Sequence, residues 1–143
     1  CPFVDPFEID KMIRFFKDGS FDYISNCFSK ETRSVPEGFE IEIFNISALS
    51  SAFSSSIDKF EQEHVTIWMR NNLPTPSIQH YYPQESYNFN HRLTVDYLED
   101  YLVVDRIASS LQDPTNLEMI TILNYLSDNP QISSPNLHLK EFS

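Results

Sequence analysis

A chain of 143 residues with 41% hydrophobic and 14% aromatic side chains has enough apolar surface to close a core, which argues against wholesale disorder. Lys and Arg number 10 against 21 Asp and Glu, a net charge of −11. That balance argues against nucleic acid and anionic membrane as partners, since both require clustered cations. Nucleotides stay open, because a divalent metal held by carboxylates can carry their phosphates.

The first predicted element is a helix. Asp5 is a candidate N-cap, Pro6 suits the first helical position, and Glu8 stands three residues after the cap. Ile9, Met12, Ile13 and Phe16 share a face, and Gly19 ends the run. Phe21 to Asn26 reads as a strand. A helix feeding a strand with no strand ahead of it suggests the second half of a βαβ unit, and no initiator Met precedes Cys1. The expectation is therefore the carboxyl-terminal part of a larger α/β domain, its amino-terminal half missing.

Lys30 to Gly38 reads as an exposed loop. Phe39 to Phe44 alternates strictly, with Phe39, Ile41 and Ile43 on one face and Glu40 and Glu42 on the other, which predicts a strand. Its two acids either face water or line a site. Ser47 is expected to cap a short helix through Phe53. Asp58 with Glu61 opens a longer one to about Arg70, on which Phe60, His64, Ile67 and Trp68 share a face.

Ile78 to Tyr82 reads as a short strand, Pro83 to Asn90 as a loop, and His91 to Val95 as the next strand, with Asp96 directly after it. Helical spacing resumes with Tyr101, Val104, Ile107, Ala108 and Leu111, and Gln112-Asp113-Pro114 breaks it. Thr115 with Glu118 forms a capping box for a last helix through about Leu126. Residues 1–130 thus read as one α/β domain, and 131–143 as a loosely held tail.

Cys1 and Cys27 offer no disulfide framework and read as free thiols of a reducing cytosol. No signal peptide or apolar run long enough to span a membrane is present, so the expected location is cytoplasmic. Asn45-Ile46-Ser47 fits the glycosylation triplet, which means little in that compartment. Gly19 and Gly38 are the only glycines, so this chain holds no glycine-rich phosphate loop.

Asp96 is the sharpest chemical candidate. An aspartate at the carboxyl end of a parallel strand stands where open α/β sheets bind ligands, and could hold a divalent metal bridging phosphate oxygens. It could equally cap the following helix, with Glu99 completing the box. Glu63 and His64, within Glu61-Gln62-Glu63-His64, suggest acid–base chemistry or a metal pair, or else a buried histidine on an apolar face. His80, His91 and His138 are scattered without metal-site spacing, and no Ser occupies a Gly-x-Ser-x-Gly elbow.

Four segments together resemble one family. Cys1-Pro2-Phe3-Val4-Asp5-Pro6, Pro36-Glu37-Gly38-Phe39-Glu40-Ile41-Glu42-Ile43-Phe44, Glu61-Gln62-Glu63-His64-Val65-Thr66 and Arg92-Leu93-Thr94-Val95-Asp96-Tyr97-Leu98-Glu99-Asp100 look like motifs of the cytidylyltransferases similar to the spore coat polysaccharide biosynthesis protein SpsF. Order and rough spacing agree from Cys1 to about Pro130. The resemblance implies a Rossmann-like α/β sheet of the nucleotide-diphospho-sugar transferase (GT-A-like) type. It implies an enzyme that uses CTP and Mg2+ to activate a sugar, acidic in the related sialic acid and Kdo enzymes, for surface polysaccharide.

By that pattern Asp96 would be a metal ligand, partnered by an aspartate ahead of the Cys-Pro pair. Glu40, Glu42, Glu63, His64 and Arg92 would line or support the sugar side. Leu98 stands where the family has Pro, a change at the helix entry alone. The phosphate-gripping basic loop lies outside this chain, so the chain by itself is expected to be inactive. Two other readings stay open: a non-catalytic α/β interaction module, and a nucleotide-sugar glycosyltransferase. The sequence also leaves a homodimer open.

Overall fold

Asp5 starts the first helix as its position suggests. Its Oδ1 accepts the amides of Phe7 at 2.8 Å and Glu8 at 3.2 Å, satisfying donors that no helical carbonyl can reach. Helix α1 (Pro6–Gly19) follows and buries Met12 completely. The left-handed residue that turns the chain out is Ser20, at φ 53°, one position beyond the glycine. Gly19 instead leaves room for the ring of Phe21, which a Cβ would meet at 2.0 Å.

The computed structural model describes residues 1–29, 32–85, 87, 90–111 and 118–142. Its contacts divide the chain into two compact units. One comprises Cys1–Glu8, Ser34–Glu40 and Pro83–Ser143; the other comprises Ile9–Arg33 and Ile41–Tyr82.

The second unit holds the sheet. Strands β1 (Tyr23–Ser25), β2 (Glu42–Phe44) and β3 (Ile78–His80) lie in the order β2-β1-β3. The β1–β2 pair is antiparallel, with Ile24 opposite Ile43, and the β1–β3 pair is parallel, with Ile24 opposite Gln79. Tyr23 and Ile24 are fully buried, and the Tyr23 ring stacks between Phe28 and Phe44, centroids 5.8 and 6.5 Å away. Helix α2 (Ile46–Ser55) buries Ala48 and Ala52 beside Tyr23 and Met69. Its cap is Asn45, not Ser47: Asn45 Oδ1 accepts the Ala48 amide at 2.7 Å, and Ser47 merely donates to that oxygen.

The long helix expected from Asp58 to Arg70 is two. Helix α3 (Lys59–Glu63) is capped by Asp58, whose Oδ1 accepts the Phe60 amide at 2.8 Å, and stops at His64. Helix α4 (Ile67–Asn72) begins after Thr66 and buries Met69.

The first unit is helical around a core that includes Phe3, Phe39, Leu93, Ile107, Met119 and Ile122. Helix α5 (Leu98–Ser110) turns Asp100, Val103 and Ile107 inward, whereas Tyr101, expected on that face, is exposed. Helix α6 (Met119–Asp128) buries Met119, Ile122, Leu123 and Leu126. The expected break at Gln112-Asp113-Pro114 and the cap at Thr115 lie outside the described residues.

Two expectations for this unit are corrected. His91 to Val95 forms no strand; a single parallel bridge joins Arg92 to Glu37, with the Leu93 amide on the Glu37 carbonyl at 2.9 Å. The segment predicted as a loose tail is tied in. It enters a 3-10 segment (Ser134–Phe142) in which Asn136 is fully buried. Among the described residues, no helix is long and apolar enough to cross a membrane.

Candidate functional site

The bridge to Glu37 sets the site. Gly38 makes it feasible: its φ is +101°, and a Cβ there would lie 2.6 Å from the Leu93 carbonyl carbon. The turn places the Glu37 side chain against Arg92, which is 3% exposed. The Arg92 guanidinium is then shared among three carboxylates. Nη1 donates to Glu37 Oε1, Nε donates to Asp100 Oδ1 at 3.1 Å, and Nη2 donates to Asp96 Oδ2 at 2.6 Å and Asp100 Oδ2 at 3.3 Å.

Asp100 is the inner pole of this cluster, at 0% exposure. Its Oδ2 also accepts the amides of Asp96 and Tyr97, each at 3.1 Å, and so caps α5 from its third position. Burial alone would raise the Asp100 pKa, but the Arg92, Asn136 and backbone hydrogen bonds outweigh it and hold the carboxyl below its ordinary value. The same balance acts on Arg92: burial opposes its charge, and Asp100, Glu37 and Asp96 overcome that and raise its pKa.

Asp96 is the outer pole, with a side chain 63% exposed. It does not cap α5; Tyr97 is the N-cap residue, and Asp100 rather than Glu99 reaches back. Arg92 holds Asp96 Oδ2, while Oδ1 makes no hydrogen bond among the described residues. A largely exposed carboxylate with one oxygen fixed by Arg92 suits Mg2+, which keeps several waters and takes one or two carboxylates together with phosphate oxygens. Among the described residues no three His, Cys, Asp or Glu side chains could enclose a metal, so a closed protein cage is not the geometry present.

The remaining predicted site residues are distributed over both units. Glu40, in the first unit, turns back on its own loop: Oε2 accepts the Gly38 amide at 2.8 Å and the Cys1 thiol at 3.9 Å. Glu42, in the second, accepts the Tyr23 hydroxyl at 2.5 Å and the Thr66 hydroxyl at 3.1 Å, with Arg70 Nη2 at 3.8 Å. Burial, then the Glu42 charge and hydrogen bond, push the Tyr23 pKa far above its ordinary 10.0. Glu63 and His64 are exposed at the end of α3, which corrects the reading of His64 as a buried residue on a continuous helix; its ring meets Phe60 edge-on, centroids 4.5 Å apart.

Glu37, Asp100, Asn136, Tyr23 and Arg70 escaped the sequence reading. For Asp100 a signal existed: it stands three residues after Tyr97, the position from which an acid reaches back to a helix start.

No protein-family model matches the chain. Its sequence is 34% identical over 131 residues to the spore coat polysaccharide biosynthesis protein SpsF of Bacillus subtilis, covering 86% of this chain and 51% of that protein. It is 27% identical over 136 residues to an uncharacterized protein of Methanocaldococcus jannaschii, covering 94% of this chain and 53% of the relative. A solved cytidylyltransferase from Leptospira borgpetersenii serovar Hardjo-bovis superposes with a TM-score of 0.79 at 26% identity, over 93% of this chain and 55% of that one. The chain thus spans about half the length of the curated relatives it matches.

A small mixed sheet with flanking helices, matched to that structure, makes this a cytidylyltransferase-like α/β protein. Sequence and fold agree, and the chain belongs to the SpsF-like cytidylyltransferase family.

Proposed function

We propose that the protein carrying this chain is a cytidylyltransferase. It joins a sugar hydroxyl to the α-phosphate of CTP and releases pyrophosphate, supplying an activated sugar for surface polysaccharide. The observation that carries this reading is Asp96: a carboxylate fixed through Oδ2 by buried Arg92, on a side chain that is largely exposed.

Transfer at phosphorus requires in-line positioning and charge neutralisation more than covalent participation. Mg2+, when bound, supplies that neutralisation and orients the phosphate oxygens. Asp96 Oδ1 offers it a ligand, and Arg92 keeps the carboxylate from swinging away. Arg92 is itself too buried to reach substrate, so its part is orientation. Glu40, Glu42, Glu63 and His64 are the candidate acceptors for sugar hydroxyls. The full sheet would be Rossmann-like, with the basic phosphate loop supplied from outside these residues; the 143-residue chain alone turns over no CTP in this reading.

The test is pyrophosphate release from CTP and sugar by the full-length protein and its Asp96→Asn variant. Loss of roughly 100-fold or more, with the fold intact, is expected. Undiminished release by the variant sinks the metal assignment.

A second reading rests on the second unit, where Phe53 and Ile57 are 87% and 93% exposed. Such an apolar surface suits a non-catalytic interaction module. A full-length protein that binds its partner but releases no pyrophosphate would favour it.

A further inference from the structure

Asn136 has no place in the site so far, yet it is 0% exposed and faces the cluster's inner pole. Its Nδ2 donates both hydrogens, one to the Arg92 carbonyl and one to Asp100 Oδ1, each at 2.9 Å. Its Oδ1 is buried with no hydrogen-bond partner among the described residues. Turning the amide over would set that oxygen against two acceptors, so the orientation is fixed by chemistry. A buried acceptor without a partner is a cost that an apolar side chain of similar size would avoid. The same apolar side chain would take a donor from the Arg92 carbonyl and from Asp100 Oδ1, so what the asparagine does here is hold Arg92 and Asp100 in place.

We propose that Asn136 is a positioning residue for Asp96, acting through Asp100 and Arg92 to aim the carboxylate that receives the divalent cation. The proposal rests on the metal reading of Asp96 and extends it to a residue far along the chain. Asn136 Nδ2 donates to Oδ1 of Asp100 and fixes that carboxylate. The two oxygens of Asp100 hold Arg92 by Nε and Nη2, and Nη2 is the atom that holds Asp96 Oδ2. The second Asn136 hydrogen clamps the backbone of the same arginine. Each joint is a directional hydrogen bond to a charged group or to main chain, so displacement at Asn136 is passed on to Asp96. Carboxylates that ligate metals are commonly held by such outer partners.

The test uses the full-length protein, labelled for NMR and titrated with Mg2+ in the presence of CTP, which supplies the phosphate oxygens that Mg2+ takes beside a carboxylate. The carboxyl carbon of Asp96 and the side-chain amide of Asn136 are expected to shift with one common midpoint. Asn136→Leu, which takes this donor away from the Arg92 carbonyl and Asp100 Oδ1, should lower the urea midpoint and also weaken Mg2+ binding at Asp96 roughly 10-fold. A purely structural asparagine would move the urea midpoint and leave Mg2+ affinity alone, which overturns the proposal. Should Asn136→Leu not fold, the wild-type titration decides: Asp96 shifting while Asn136 stays still also overturns it. An unmoved Asp96 overturns the metal reading itself, and the proposal with it.

Discussion

The amide of Met119 donates to Oδ2 of Asp5 at 2.8 Å, across 114 positions of sequence. The other oxygen of Asp5 accepts the amides of Phe7 and Glu8, so one buried carboxylate satisfies the starts of both α1 and α6. Its charge also faces the positive ends of both helices. Asp5→Ala strands three amides at once and is expected to cost about 2–4 kcal/mol, more than the roughly 1 kcal/mol of an ordinary cap. Asp5→Asn, with one acceptor oxygen, should fall between. Urea unfolding of the two variants checks the order.

Removing Arg92 leaves Glu37 and Asp100 confined without their counter-charge. Arg92→Met is expected to destabilise the fold by about 3–5 kcal/mol, the usual result of breaking one side of a buried ion pair. Adding Asp100→Asn should return part of that loss, because the stranded charge goes while an oxygen remains for the Asp96 and Tyr97 amides. A double variant less stable than the single one would show that the cluster is not the origin of the effect.

Acid should weaken the fold through Asp100. Its folded pKa lies below the ordinary 3.8, so the folded state prefers the ionised form. The associated stability is fully present above that value and is lost as pH falls through the folded value. A urea midpoint followed from roughly pH 5 down to 2 should decline in wild type. Asp100→Asn, less stable throughout, should show a shallower decline.

Tyr23 predicts the opposite edge. Its folded pKa is raised above 10.0, so its stabilising share is intact below pH 10.0 and falls as the unfolded chain's phenol ionises above it. Spectrophotometric titration of the folded protein should therefore miss this tyrosine. Tyr23→Phe should leave the alkaline absorbance rise unchanged, and a smaller rise would refute the assignment.

Helix α1 was legible because cap, first-turn proline and apolar spacing agree locally, and α3 was legible at its start through Asp58. The break between α3 and α4 was not, since no Gly or Pro marks His64 to Thr66. The false strand at His91 to Val95 has strand-like residues, but a strand requires neighbours, and there a single bridge forms. Within the site, Arg92 was singled out by the family resemblance and Asp96 already by its place after a predicted strand that does not form; their pairing is a local one across four residues. Glu37 is 55 positions from Arg92, and Asn136 is 44 away, so no local pattern could announce either. The family itself was readable from four short motifs in order, and the relatives bear it out.

The interleaving of the two units imposes an order on synthesis. Everything in Ile9–Arg33 and Ile41–Tyr82 has been translated once Tyr82 is made, whereas the other unit draws on Cys1–Glu8, Ser34–Glu40 and residues beyond Pro83. A ribosome therefore releases Phe3, Val35 and Phe39 long before α5 and α6 exist to cover them. Asp5 must likewise wait for Met119, and Arg92 for Asn136. The earliest-made apolar residues of that unit thus spend the longest time uncovered on the nascent chain.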